Sequence, residues 1–145
     1  MTKLEKAIEK FIKEIDEELN VSFIKGIGSS FEAETNTVNI DFSETEEYGF
    51  LRHLKEVHKC KFAYDYPLIL WAILHEIGHY ETEWELLEDD DDTEIRNWLS
   101  FTDKSFANDI VIQDMYFNLN AEWYATEWAI EWIKNNKEIA EKFKV

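Results

Sequence analysis

The sequence predicts an α+β fold in one domain that spans residues 1–145. Three patterns support this fold class. Apolar side chains recur at helical spacing near the N-terminus, a later segment alternates apolar and polar side chains, and the middle of the chain holds a continuously apolar helix. A chain of this length can bury a substantial core, and its hydrophobic content of 45% indicates a folded domain.

The first forty residues predict one helix and a small sheet. Thr2 and Glu5 form a capping box, and the apolar residues that follow predict an amphipathic helix over Lys3–Leu19. The last strand of the sheet alternates like a half-buried strand, and as an edge strand it would suit pairing with an extended peptide. The expected strands are Val21–Ile24, Phe31–Glu34 and Thr37–Phe42.

A second capping box opens the next predicted helix. Ser43 and Glu46 form this box, and the helix is expected to run to about His58. The predicted helix carries His53 and His58. We expect both of these histidines to be exposed, because their spacing does not suit a paired ligand site. The one cysteine, Cys60, allows no intrachain disulfide and is interpreted as a small buried hydrophobe.

The central motif of the chain is His75-Glu76-Ile77-Gly78-His79. Pro67 suits the start of a helix, and the residues from Leu68 to Ile77 are apolar almost all round, so the helix is expected to be buried. His75 and His79 lie on one helix face and can bind one metal ion, with Glu76 as a general base beside it. The alternative is a pair of core histidines that bind backbone carbonyls.

The C-terminal half is predicted to be mainly helical. The acidic run Glu88–Asp92 lacks the spacing of a calcium loop and is interpreted as a solvated loop. A short helix over Thr93–Phe101 precedes a tryptophan-rich helix over Ile110–Lys134. A last helical segment is expected over Lys137–Phe143.

Helical phase selects Glu122 as the candidate third ligand. With Glu122 at zero and about 100° per residue, the apolar arc of this helix runs from about 240° to 20° and contains Glu122. Glu127 and Glu131 fall on the opposite face and are interpreted as solvated, whereas a core-facing Glu122 needs a buried partner. A lysine or arginine is the alternative to a metal. Asp114 and Asn118 share the arc and could accept a ring N–H from a ligand histidine.

The motif and the Glu122–Ala129 segment resemble the ImmA/IrrE-type metallopeptidases of bacteria and phages, over roughly Asn36–Trp132. That family has HExxH and a later glutamate-led helix, and it often carries a histidine at the position of Glu83 and an acidic residue at that of Thr126. The resemblance implies a zincin-like fold with a small sheet packed on the HExxH helix. It also implies zinc held by His75, His79 and Glu122, and action on a regulatory protein.

The predicted function is therefore zinc-dependent peptide hydrolysis, with Glu76 as the catalytic base and a peptide or protein as the substrate. Tyr80, Tyr116 and Tyr124 are candidates for stabilising the oxyanion. The first alternative is an acidic inhibitor or nucleic-acid mimic that docks on a basic protein and has an inert metal site. The second is a metal-dependent binding protein without turnover.

The net charge of −17 argues against direct binding to nucleic acid, because phosphates would be repelled. The N-terminus enters an amphipathic charged segment directly, which does not suit a signal peptide. The longest apolar run, Pro67 to Leu74, is too short to span a membrane. A cytoplasmic location without membrane association is expected, and the sequence does not predict the oligomeric state.

Overall fold

The computed structural model of the protein describes residues 1–43, 49–83 and 110–144, without the side chains of residues 110–113. The predicted α+β class is confirmed: these residues form six α-helices and one three-stranded sheet. The helices are α1 (Lys3–Ile15), α2 (Phe50–Glu56), α3 (Leu68–Thr82), α4 (Ile110–Phe117), α5 (Asn120–Asn135) and α6 (Lys137–Glu141), and the strands are β1 (Asn20–Ile24), β2 (Ser30–Glu32) and β3 (Thr37–Asp41).

The chain divides into two compact units, Met1–Glu44 and Thr45–Val145. The first contains α1 and the sheet, and the second contains the other helices. The packing of the sheet on the HExxH helix therefore stays a prediction. Among the described residues, no helix has the length and apolar character needed to cross a membrane.

In the first unit, α1 begins as its capping box predicts. The Thr2 hydroxyl accepts from the Glu5 N–H at 3.1 Å, and the Glu5 carboxylate accepts from the Thr2 N–H at 2.8 Å. The helix ends at Ile15, earlier than predicted, because Asp16 is extended and its side chain accepts from the Glu18 N–H instead. This local turn replaces the last predicted helical turn.

The sheet order is β1-β3-β2, which makes β3 the central strand. It pairs in parallel with β1 and antiparallel with β2. The prediction that Thr37–Phe42 is an edge strand available to a peptide is therefore wrong, because both edges of β3 are already paired. The prediction that this strand is buried on one face only is also wrong, since the polar residues Asn39 and Asp41 are buried along with the apolar ones.

The two buried polar side chains of β3 have hydrogen-bond partners: the Asn39 amide donates to Ser30 and Glu32 of β2, and Asp41 is bonded by the turn before β2 and by the residues after β3. The Asp41 carboxylate accepts from the Gly28 N–H at 2.8 Å and from the Ser43 N–H at 2.8 Å. The hydrogen bonds from Ser43 and Gly28 lower the pKa of Asp41 to about 2. Asp41 thus connects the turn before β2 with the residues that follow β3, a contact that the alternating pattern does not predict.

In the second unit, α3 is buried as predicted. Every residue from Leu70 to Gly78 is buried, and the Trp71 indole donates to the Ala63 carbonyl at 2.9 Å. Helix α2 starts at Phe50, after Gly49 in a left-handed conformation at φ 66°. The predicted capping residue Glu46 lies outside the described residues, as do the acidic run at 88–92 and the predicted helix at 93–101.

The long C-terminal helix predicted over Ile110–Lys134 is two helices, α4 and α5. They are separated at Asn118 and Leu119, and Leu119 is buried with a non-helical ψ of 141°. The break places Glu122 in the first turn of α5 and Tyr116 near the end of α4. In this arrangement the Tyr116 hydroxyl donates a hydrogen bond to the Glu122 carboxylate. A continuous helix would not bring these two side chains together in this way.

Helices α3 and α5 pack closely because small residues meet at their crossing. A Cβ added to Gly78 would lie 2.9 Å from the Ala125 Cα and nearer still to its carbonyl oxygen. The small side chain of Ala125 therefore allows α3 to approach closely. This crossing places the HExxH motif against the start of α5.

We expect Gly78→Ala to destabilise the protein, although alanine is the better helix former. The helical gain is about 1 kcal/mol, whereas overpacking a well-packed core typically costs about 1–3 kcal/mol and sometimes more. Here the obstacle is backbone, which cannot move aside as a flexible side chain can. Urea unfolding followed by circular dichroism measures the net effect. An unchanged or raised unfolding midpoint would contradict this close helix crossing.

Candidate metal centre

Helix α3 places the two motif histidines side by side. Their ring centroids are 4.7 Å apart and the rings are nearly perpendicular, at 88°. His75 is buried and His79 is partly exposed. Glu76, which directly follows His75 in the sequence, is also buried. The helix therefore offers two imidazoles at one place, one of which is open to solvent.

Helix α5 brings Glu122 to the same place. Its side chain is 4% exposed, and Oε2 lies 2.8 Å from the His79 Nε2 and 3.7 Å from the His75 Nε2. The ligand atoms of the three residues all lie within 4.8 Å of one another. Within the ranges 1–43, 49–83 and 110–144, this is the one group of at least three His, Cys, Asp or Glu side chains arranged to hold a metal.

The two oxygens of Glu122 have different surroundings. The Tyr116 hydroxyl donates to Oε1 at 2.7 Å. Oε2 is buried and has no hydrogen-bond partner in the described part of the chain, although the Nε2 atoms of both histidines lie close to it. A buried carboxylate oxygen without a partner is costly. Two imidazoles and one carboxylate are a donor set that suits zinc, so the residues present fit such an ion.

The surroundings of His75 and Glu122 favour the protonation states that metal binding requires. Burial lowers the pKa of His75, and the neighbouring Glu122 offsets only part of that effect. Burial raises the pKa of Glu122, but the His75 and His79 rings beside it lower that pKa more strongly, to well below its usual range. A neutral His75 and an ionised Glu122 are the forms that bind a metal.

The residue that supports His75 is Thr126, which the sequence analysis did not select. Its buried hydroxyl lies 3.1 Å from the His75 Nδ1. The predicted supporting residues do not take this place: Asp114 contacts His53 at 3.0 Å and Arg52 at 2.8 Å, and Asn118 is exposed. The signal for Thr126 was its position four residues after Glu122, on the same helix face.

The buried face of α5 is rotated relative to the prediction. At about 100° per residue, it runs from about 300° to 80°, so Glu122 lies near its middle and Thr126 lies inside it. Trp128 and Trp132 fall at about 240° and 280°, inside the predicted apolar arc, but they are only partly buried. The buried residues of α5 are Glu122, Ala125, Thr126, Ala129, Ile130 and Ile133.

The prediction that His53 and His58 are exposed is wrong, because both side chains are fully buried. The His53 Nδ1 lies 3.0 Å from Asp114, and the His58 Nδ1 lies 2.8 Å from Glu127. His58 also packs on the Trp123 ring, with centroids 3.9 Å apart. Glu127 is therefore not simply solvated, although it remains partly exposed and outside the metal cluster. Cys60 is buried as predicted.

The comparisons with known proteins identify no relative. No family model, no curated protein and no solved structure matches the chain. The resemblance to ImmA/IrrE-type metallopeptidases thus stays a prediction from two short motifs. The functional assignment depends on the geometry of His75, His79 and Glu122.

Proposed function

We propose that the protein is a zinc-dependent peptidase with a zincin-like fold. The observation that carries the proposal is the convergence of His75, His79 and the Oε2 of Glu122, a buried oxygen that has no hydrogen-bond partner among the described residues. The HExxH order supports it further, because it places a carboxylate, Glu76, next to the first ligand in sequence. His75, His79 and Glu122 are the three protein ligands, which leaves a fourth position for water or substrate.

Glu76 is the catalytic base of the proposed reaction. When bound, zinc would lower the pKa of a coordinated water and polarise the scissile carbonyl. Glu76 accepts a proton from the attacking water and delivers it to the leaving amine. Tyr116 donates its hydroxyl proton to Glu122 and so helps to hold this carboxylate in place. The partly exposed His79 lies on the side from which solvent reaches the site.

The reaction class can be tested without a known substrate. Zinc-loaded and chelator-treated protein are each incubated with an extract of cells from the source organism, and new protein termini are identified by mass spectrometry. We expect termini that appear with the loaded protein, disappear after chelation and return when zinc is added. Identical termini in all samples, or none, would contradict a peptidase and favour an acidic protein that only binds a partner.

A further inference from the structure

Thr126 makes two contacts that connect both sides of the proposed metal centre. Its hydroxyl donates to the backbone carbonyl of Glu122 at 2.8 Å, and the same oxygen lies 3.1 Å from the His75 Nδ1. The residue is fully buried. One hydroxyl thus touches the main chain of one predicted ligand and the ring of another.

The proton positions follow from the chemistry of these groups. A hydroxyl has one proton, and a carbonyl oxygen can only accept, so the shorter contact to Glu122 takes that proton. Toward His75 the hydroxyl oxygen then acts as an acceptor, and the His75 Nδ1 carries the ring hydrogen. The His75 Nε2 is left with a lone pair on the side of the Glu122 Oε2.

The opposite tautomer fits the structure less well. A hydrogen on the His75 Nε2 would point toward the Glu122 Oε2 across 3.7 Å, which is too long for a hydrogen bond. With the hydrogen on Nδ1, the lone pair of Nε2 and the carboxylate oxygen instead face each other as two acceptors. A cation between them satisfies both atoms.

We propose that Thr126 is a positioning residue that holds His75 in the Nδ1–H tautomer and so presents the Nε2 lone pair to the metal. The proposal rests on the proposed zinc site and adds to it the residue that orients the first ligand. Supporting residues of this kind typically contribute about 10–100-fold to metal affinity. Here a neutral hydroxyl has this role, and its own direction is fixed by the carbonyl of another ligand residue.

The first test compares zinc affinities by competition with a chromophoric chelator. Thr126→Val keeps the shape of the side chain but removes the hydroxyl, and we expect it to weaken zinc binding by about 10–100-fold. Thr126→Ser should restore most of the affinity. Thr82→Val is the matched control, because Thr82 is also buried and its hydroxyl donates to the Gly78 carbonyl at 2.7 Å. Equal zinc affinities for the two valine variants would overturn the proposal.

The second test does not depend on the folding of any variant. Nitrogen-15 NMR of the metal-free wild-type protein near pH 8 reports which ring nitrogen of His75 carries the hydrogen. We expect Nδ1, and a hydrogen on Nε2 would overturn the assignment to Thr126. If the wild-type protein takes up no zinc, the proposed function fails, whereas the tautomer in the metal-free protein still decides whether Thr126 orients this ring as inferred.

Discussion

Glu122→Gln is expected to release most of the zinc that the wild-type protein retains. The substitution keeps the size of the side chain but removes the charge from Oε2, the atom that lies 2.8 Å and 3.7 Å from the two histidine nitrogens. The loss in affinity should exceed the roughly 10–100-fold cost of removing a supporting residue, because a ligand itself is changed. Zinc content after dialysis and chelator competition both measure this loss.

Glu127→Gln is the matched control for that experiment. It makes the same chemical change on the same helix, and its amide oxygen can still accept a hydrogen bond from His58. We expect its zinc affinity to remain close to wild type. If Glu127→Gln loses as much zinc as Glu122→Gln, the assignment of the third ligand from helical phase is wrong.

Glu76→Gln should abolish most of the proposed activity while leaving the metal in place. Glutamine has nearly the same shape as glutamate but cannot accept the proton of the attacking water, and loss of a general base typically costs about 10²–10⁴-fold in rate. At about 1.36 kcal/mol per tenfold, this raises the barrier by roughly 3–5 kcal/mol. Appearance rates of new protein termini provide the measurement once zinc-dependent termini are known.

The same substitution at an exposed site separates this effect from a change in surface charge. Glu83 follows α3 directly and is exposed, so Glu83→Gln should leave both the rate and the zinc content near wild type. The result expected for Glu76→Gln is normal zinc content with a strongly reduced rate. Unchanged cleavage by Glu76→Gln would exclude Glu76 as the base, and joint loss of zinc would show that it acts as a ligand instead.

The parts of the fold that could be predicted from the sequence are those encoded locally. The Thr2–Glu5 capping box fixes the start of α1, and the apolar run before His75 predicts a buried helix, because both patterns lie within a few turns. Glu122, which helical phase selected, lies beside the two histidines in the structure. That selection depended only on the phase of one helix.

The parts that could not be predicted depend on contacts distant in sequence. His53 and His58 are buried because Asp114 and Glu127 meet them from helices that follow much later in the chain. The tryptophans of α5 shifted its predicted face away from Thr126, since bulky apolar residues can remain partly exposed. The central position of β3 likewise depends on β1. These two strands pair directly and in parallel, although β2 lies between them in the sequence.

The most direct test of the metal centre is elemental analysis of the wild-type protein purified without chelators. Gel filtration at high salt before the measurement removes cations held loosely by the net charge of −17, because such surface attraction is screened. We predict about one zinc per chain, which is the content of a site with one set of three protein ligands. Protein that contains no transition metal, and that takes up none when zinc is added, would contradict the assignment of His75, His79 and Glu122 as a metal site.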